Sequence, residues 1–213
     1  MAAQGERVYE IIRQRIIDQV YVPSQTLVES TLAEELGVSR NTVKKALMQL
    51  VNEKLVDIKA NKSAIVKSLS IDEAVHLLEI RERLEGLIAY CAAQAITDKE
   101  IEIIRSSLAE MKKYIKDSKF KEYSATNDLI HHVIYEICPN REAVEMIESI
   151  RLQLRRYNKR TILISGRSID SYNEHEAIFN ALEARDPERA EIAMRKHVSN
   201  VRNVLKENYS VLF

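Results

Sequence analysis

The chain has 213 residues, 46% hydrophobic and 30% charged, with 32 Lys/Arg against 32 Asp/Glu and so no net charge. That is the make-up of a globular, water-soluble protein with room for two ordinary cores, and it excludes a chain that is basic throughout. With 4 Gly and 3 Pro, long helices are expected, and the longest apolar run, Leu87 to Ile96, falls short of the roughly 18 residues a membrane span needs. At the N-terminus, Glu6 and Arg7 stand where a secretory signal would be apolar, so a cytoplasmic protein without a membrane partner is expected. Val8, Ile11, Ile12 and Ile16 recur at helical spacing and predict an amphipathic helix over Glu6 to Gln19, broken at Val22-Pro23-Ser24. A short helix from about Ser30 to Leu36 ends at Gly37, the residue that turns at a helix C-terminus with least strain. Ser39 caps a third helix, whose inward stripe is Val43, Ala46, Leu47, Leu50 and Val51. Two β-prone runs, Leu55 to Ile58 and Ala64 to Val66, flank a polar turn at Asn61-Lys62-Ser63.

Helix, helix, tight turn, helix, hairpin is the order of a winged helix-turn-helix, whose second helix enters the major groove of DNA by its N-terminal end. The inward stripe leaves Arg40, Asn41, Lys44 and Lys45 outward. Arg40 and Asn41 carry the donors and acceptors that match guanine and adenine edges, while Thr42 and the lysines suit phosphate oxygens. A wing would add contacts through Asn61 and Lys62. Positive charge leans the same way: residues 1–69 hold 10 Lys/Arg against 8 Asp/Glu, and the remainder 22 against 24.

From residue 70 onward six helical patterns follow, with no convincing strand. Ser70-x-x-Glu73 and Thr97-x-x-Glu100 match the capping box that opens a helix. Ile101, Ile104, Leu108, Met111 and Ile115 then line one face of the second helix. The third runs from about Lys121 to Ile137 and stops at Cys138-Pro139-Asn140, the fourth spans roughly Glu142 to Leu163, and the fifth covers about Ile169 to Ala184. Asp186-Pro187 opens the sixth. The fold class expected is mainly α: a winged helix-turn-helix over 1–69, then an all-α antiparallel bundle over 70–213. Cys91 and Cys138 fall within apolar helical patterns and read as reduced core residues.

Three of the five histidines occupy inward positions on different helices. His131 belongs with Ile130, Ile134 and Ile137; His175 with Tyr172, Ile178, Phe179 and Leu182; His197 with Ala190, Met194, Val198 and Val201. Burying three imidazoles separately needs three hydrogen-bonding arrangements, whereas one divalent metal satisfies all of them. Asn127, four residues before His131, projects to the same side of its helix and is the candidate fourth ligand. This mixed nitrogen and oxygen set suits Zn, Ni, Mn or Fe. Arg81 lies on the apolar face of Leu77, Leu84, Ile88 and Cys91, where a cation needs a partner. Either Glu85, one turn along, or the carboxylate of an incoming small-molecule effector can fill that role. Tyr135, Arg155, Arg156, Tyr157 and Arg160 are further polar groups within reach of the bundle interior.

The run Leu32-Ala33…Leu36-Gly37-Val38-Ser39-Arg40-x-x-Val43-x-x-Ala46-Leu47…Leu50, followed by Leu55-Val56, resembles the DNA-binding domain of the GntR family of bacterial regulators. The resemblance implies Arg40 and Lys44 as principal operator contacts. Thr42 stands where the family usually has Pro, Lys44-Lys45 where it has Arg-Glu, and Ser63 where it has the wing-tip Gly; Lys for Arg trades bidentate base reading for a point charge. Further along, Arg81-x-x-Leu84-Glu85, Asn127-x-x-Ile130-His131-x-x-Ile134 and Glu174-His175-x-x-Ile178…His197 resemble the FCD ligand-binding domain of the FadR-type branch, in its shorter six-helix VanR-like form. That family more often has Asp at the Asn127 position, and many of its effectors are carboxylates. The chain is therefore expected to be a regulator and not an enzyme: it would bind a palindromic operator as a homodimer, under control of an organic acid or metal in the helical domain. The alternatives are a three-histidine metal-dependent hydrolase, and a regulator whose metal site is purely structural.

Overall fold

The computed structural model describes residues 2–58 and 63–212, apart from the side chains of residues 2, 3, 156, 158 and 159. These form two compact units, Met1–Ser70 and Ile71–Phe213. In the first, α1 (Ala2–Ile17), α2 (Glu29–Leu36) and α3 (Arg40–Asn52) enclose a core of Val8, Ile12, Leu32, Val43, Leu47 and Leu50. Gly37 ends α2 with a φ of 64°, and the Ser39 hydroxyl accepts from the Thr42 backbone N–H at 3.1 Å to cap α3. The expected hairpin is present as β2 (Val56–Ile58) and β3 (Ala64–Val66), paired antiparallel with Val56 opposite Val66. It belongs to a three-stranded sheet, because β1 (Thr26–Leu27) pairs along the other edge of β3, giving the order β1-β3-β2. The sequence reading lacked β1 because two residues cannot show an alternation; β1 exists by occupying the otherwise unpaired edge of β3. Asn61 and Lys62 lie outside the described residues.

The second unit is built from α4 (Ile71–Ala95), α5 (Asp98–Lys116), α6 (Phe120–Ile137), α7 (Arg141–Thr161), α8 (Arg167–Glu183) and α9 (Pro187–Leu212). Their ends follow local chemistry. Glu100 reaches back to the Thr97 backbone N–H at 3.1 Å, the Asn140 side chain accepts from Ala143 N at 3.1 Å, and Asp186 accepts from Arg189 N at 3.1 Å. The helices α4 and α9 run antiparallel in the most extensive helix contact of the unit, and Gly86 is what permits it. A Cβ built at Gly86 would come within 2.6 Å of Arg195 Cγ, so the Arg195 stem crosses α4 where there is no side chain. Glu82, beside that crossing, pairs with Arg202 at 2.8 Å. Further contacts, of α5 with α6 and α8, of α9 with α7 and α8, and of α4 with α6, α7 and α8, bring the inner faces of α4, α6, α8 and α9 together.

Candidate functional site

His131 on α6, His175 on α8 and His197 on α9 are all buried, and one ring nitrogen from each lies within 4.8 Å of the others. The ring centroids stand 4.5, 5.3 and 5.5 Å apart. What surrounds the rings sets which nitrogens face inward. His175 Nδ1 donates to the Ser171 carbonyl oxygen at 2.6 Å, and His197 Nδ1 donates to Glu174 Oε2 at 2.7 Å. His131 Nδ1 lies 2.9 Å from Glu85 Oε2, a charge contact without the alignment of a hydrogen bond, and both atoms are otherwise unpartnered in the interior. The acceptors of His175 and His197 are oxygens without protons, so those two Nδ1 atoms carry the hydrogen and their Nε2 atoms present lone pairs; the carboxylate of Glu85 beside His131 Nδ1 favours the same tautomer there. His175 Nε2 and His131 Nε2 face each other at 3.3 Å.

Two lone pairs opposed at that distance in a dry interior repel unless a cation lies between them. A proton is disfavoured there. Burial lowers His131 to about 4, His175 to about 3 and His197 to about 4, in each case against smaller opposing contributions from nearby acceptors. The donor set therefore fits a divalent metal: three neutral imidazoles, each oriented by an oxygen on its far nitrogen. Asn127 is half-buried one turn before His131 on α6, on the helix that brings His131 inward.

An outer ring of charges holds these orienting groups. Glu174 accepts from both terminal nitrogens of Arg167, at 3.0 and 2.8 Å, and from Asn200 Nδ2 at 2.7 Å. Burial alone would raise the Glu174 carboxyl; His197 and Arg167 outweigh it and bring it to about 2. Glu85 is fully buried, forms an ion pair with Arg81 and lies 3.7 Å from Arg151 Nη1. Its carboxyl stays well below the usual range because Arg81, His131 and Arg151 together overcome the cost of burial. Arg151 in turn donates to Tyr135 Oη at 2.9 Å and to Asp128 Oδ1 at 2.8 Å. Of the two partners open to Arg81 from its spacing, the structure supplies Glu85. Tyr135 joins the site through Arg151, whereas Arg160 is spent on the Leu212 carbonyl at the end of α9. Sequence reasoning missed Arg151, Arg167 and Asn200, and did not assign Glu85 and Glu174 as the groups that orient His131 and His197. The signal available for Arg167 and Glu174 was their seven-residue spacing on one helix face.

In the first unit, α3 buries Val43, Ala46, Leu47 and Leu50 and leaves Arg40, Asn41, Lys44 and Lys45 exposed along its outer face. Thr42 is half-buried, with its hydroxyl 2.9 Å from that of Ser39. The far end of α3 is fixed to α1, since Glu53 accepts from the Tyr9 hydroxyl and from Arg13 Nε, the latter at 3.2 Å. A rigid helix thus carries a cationic, solvent-facing row at its N-terminal half. That is the geometry for reading a groove.

Comparison with known proteins places these two sites in context. Residues 4–66 match the family described as bacterial regulatory proteins, gntR family, and residues 76–200 match the FCD domain. The HTH-type transcriptional repressor RspR of Escherichia coli K12 is 24% identical over 208 residues, covering 96% of this chain and 91% of that one. The HTH-type transcriptional regulator LutR of Bacillus subtilis is 29% identical over 195 residues, covering 82% and 88%. Among solved structures, Escherichia coli McbR/YncC superposes with a TM-score of 0.79 at 18% identity, covering 98% of this chain and all of that one, and so shares the fold. A GntR regulator from Rhodococcus sp. RHA1 gives 0.75 at 19% identity, covering 96% and 98%. None of these matches is an enzyme; of the two carboxylates a three-histidine hydrolase could use as its base, Glu174 is engaged by Arg167, Asn200 and His197, and Glu176 accepts from the Tyr172 hydroxyl.

Proposed function

The chain belongs to the GntR family and carries its FCD domain, which makes it a DNA-binding transcriptional regulator, and we propose that its DNA affinity is set by a metal-dependent small-molecule site in the helical unit. The observation that carries this is the convergence of three buried imidazoles, one ring nitrogen of each within 4.8 Å of the others and the Nε2 atoms of His131 and His175 3.3 Å apart. His131, His175 and His197 would hold the metal, with Asn127 as an uncharged oxygen ligand, and Zn, Ni, Mn or Fe fits the set. A bound divalent ion supplies a positive anchor for an anionic oxygen. The chain's own part is to hold the three rings: Glu174 accepts from the far nitrogen of His197, the Ser171 carbonyl from that of His175, and Glu85 lies against that of His131, while Arg81, Arg151 and Arg167 keep the two carboxylates ionised. The proposed effector is a carboxylate. Arg81 contributes to its capture by sharing or exchanging its contact with Glu85.

At the other site, Arg40 and Asn41 would read base edges while Thr42, Lys44 and Lys45 engage phosphates. Asn61 and Lys62, outside the described residues, are proposed as the wing's contribution. One winged domain makes too few contacts for tight specific binding, so a homodimer on a palindromic operator is proposed. RspR is named a repressor, and repression is the sense of regulation proposed here.

Calorimetric titration of chelator-treated protein with Zn, Ni and Mn, beside the His175→Ala variant, tests the site. Tight one-to-one binding that the variant loses, with operator affinity in a gel shift then becoming insensitive to metal or acid, supports sensing. If metal binding raises the melting temperature yet leaves operator affinity unchanged for every acid tried, the site is a structural staple instead. No specific, salt-sensitive DNA complex in any condition would sink the whole reading.

A further inference from the structure

Arg151 differs from the other guanidiniums of the charged ring in where its partners lie. Arg81 and Arg167 pair with Glu85 and Glu174 in the interior. Arg151, on α7, is 16% exposed and spans from that interior to the surface. Inward, its Nη1 donates to the buried Tyr135 hydroxyl at 2.9 Å and lies 3.7 Å from Glu85 Oε1, too far for a hydrogen bond. Outward, its Nη2 donates to Oδ1 of Asp128 at 2.8 Å, and Asp128 is 51% exposed. The Tyr135 ring carries the guanidinium 5.4 Å from its centroid and so fixes it between the two carboxylates. From Glu85 the line continues to His131, whose Nδ1 is 2.9 Å from Glu85 Oε2. Asp128, Arg151 and Glu85 are thus a row of alternating charge that starts in solvent and ends on an imidazole of the histidine centre.

We infer that Asp128 is a positioning residue that sets the metal affinity of the histidine centre from the surface, by holding Arg151 off Glu85. The inference rests on the metal reading above. A guanidinium carries one positive charge, and the share that Asp128 neutralises does not bear on Glu85. Glu85 then keeps Oε2 on His131 Nδ1, and a carboxylate on the far nitrogen makes the facing nitrogen a stronger donor. Without Asp128 the guanidinium has only its inner partners. It draws on Glu85, leaves His131 Nδ1 with a weaker acceptor, and adds an uncompensated positive charge to the site a cation must enter. Both effects weaken metal binding. Removing the Arg151 charge reverses them, because Arg81 still pairs with Glu85 and keeps it ionised. The two members of one ion pair therefore act with opposite sign, which a pair serving only to hold the fold would not do.

Chelator-treated full-length protein is titrated calorimetrically with zinc alone, as wild type, Asp128→Asn, Asp128→Glu, Arg151→Met and the double variant Asp128→Asn/Arg151→Met. Asp128→Asn should weaken zinc binding about tenfold, and Asp128→Glu should restore it. Arg151→Met should tighten binding, and the double variant should match it, since no guanidinium is left to release. Asp128 adjoins Asn127 on α6, and the double variant separates the two routes. A loss that persists there would show Asp128 acting through Asn127 and would overturn the inference. So would an Asp128→Asn affinity equal to that of wild type, or weaker binding by folded Arg151→Met. Nitrogen-15 spectra of the metal-free proteins give a second reading: Asp128→Asn should shift the His131 ring nitrogens and leave those of His175 in place. Unmoved His131 signals would overturn the relay whether or not zinc binds. A wild type that takes up no zinc while His131 still shifts would refute the metal reading and leave the relay standing.

Discussion

Acidification of metal-free protein from pH 7 to pH 5 works against the histidine centre while ordinary carboxylates are still ionised. An exposed histidine titrates near 6.5, but in the folded state His131, His175 and His197 are lowered by burial to about 4, 3 and 4. At pH 5 the unfolded chain therefore holds nearly one proton on each, the folded chain almost none, and unfolding takes up about 2.7 protons. The unfolded state binds the protons, so stability rises with pH across this window and falls as acid is added. At ~1.4 kcal/mol per proton per pH unit the slope near pH 5 is about 4 kcal/mol per unit, and the loss from pH 7 to 5 sums to about 6 kcal/mol. Against the ~5–15 kcal/mol of a whole domain, the acid midpoint of the second unit falls between about pH 5 and 4. Glu85 and Glu174, both held low, act in the same sense further down, their contribution being lost as pH falls toward their folded values. Near-ultraviolet circular dichroism gives the midpoint and potentiometry the proton uptake. Uptake below one proton at pH 5, or stability flat between pH 7 and 5, would refute the assignment of three neutral, buried rings. Bound zinc occupies the same lone pairs, so it should move the midpoint to lower pH.

Four substitutions probe the rest of the architecture. Glu85→Gln leaves Arg81 and Arg151 without their buried carboxylate and should cost about 3–5 kcal/mol in urea denaturation; a change below ~1 kcal/mol would mean the cluster is well solvated. Gly86→Ala sets about 1 kcal/mol of helix propensity gained against an overpacking cost of ~1–3 kcal/mol where the new Cβ meets the Arg195 stem, and a small net destabilisation is expected. A net stabilisation would show that the Arg195 stem yields freely. On DNA, Arg40→Ala should cost about 1–3 kcal/mol and relax base preference at its position, whereas Lys44→Ala should weaken all sequences alike and reduce the salt slope by about one, both read by fluorescence anisotropy at several salt concentrations. The converse pattern would exchange the base-reading and phosphate roles of these residues.

Helix ends were the most legible part of the fold because each is written in a few adjacent residues. Gly37, Ser39, Thr97 with Glu100, and Asp186 before Pro187 all sit where a helix starts or stops, and each makes or permits the local contact its chemistry suggests. The faces of α6, α8 and α9 were legible for a related reason: a 3.6-residue period puts His131, His175 and His197 among apolar neighbours regardless of what packs against them. Contacts that depend on which helices become neighbours left no such trace. Arg151 stands in a run with Arg155, Arg156 and Arg160, and nothing local distinguishes it; it is selected because α7 lies against α4, where Glu85 needs a second cation.

Arg81 shows where local reading stops being sufficient. One helix turn separates it from Glu85, and the same spacing serves an internal ion pair or a charge awaiting a ligand equally well. The structure fills it internally, and that choice shifts where a ligand's charge would be met. The buried ring holds the guanidiniums of Arg81, Arg151 and Arg167 against the carboxylates of Glu85 and Glu174, with Asp128 half in solvent. The three imidazoles are neutral and the three guanidiniums are matched by Glu85, Glu174 and Asp128, so a divalent ion would enter a site with no spare negative charge and would gain none from Asn127. On the proposed reading, an anionic ligand would be met first by the charge of the metal itself, and Arg81 would act on it second, by sharing or exchanging its contact with Glu85.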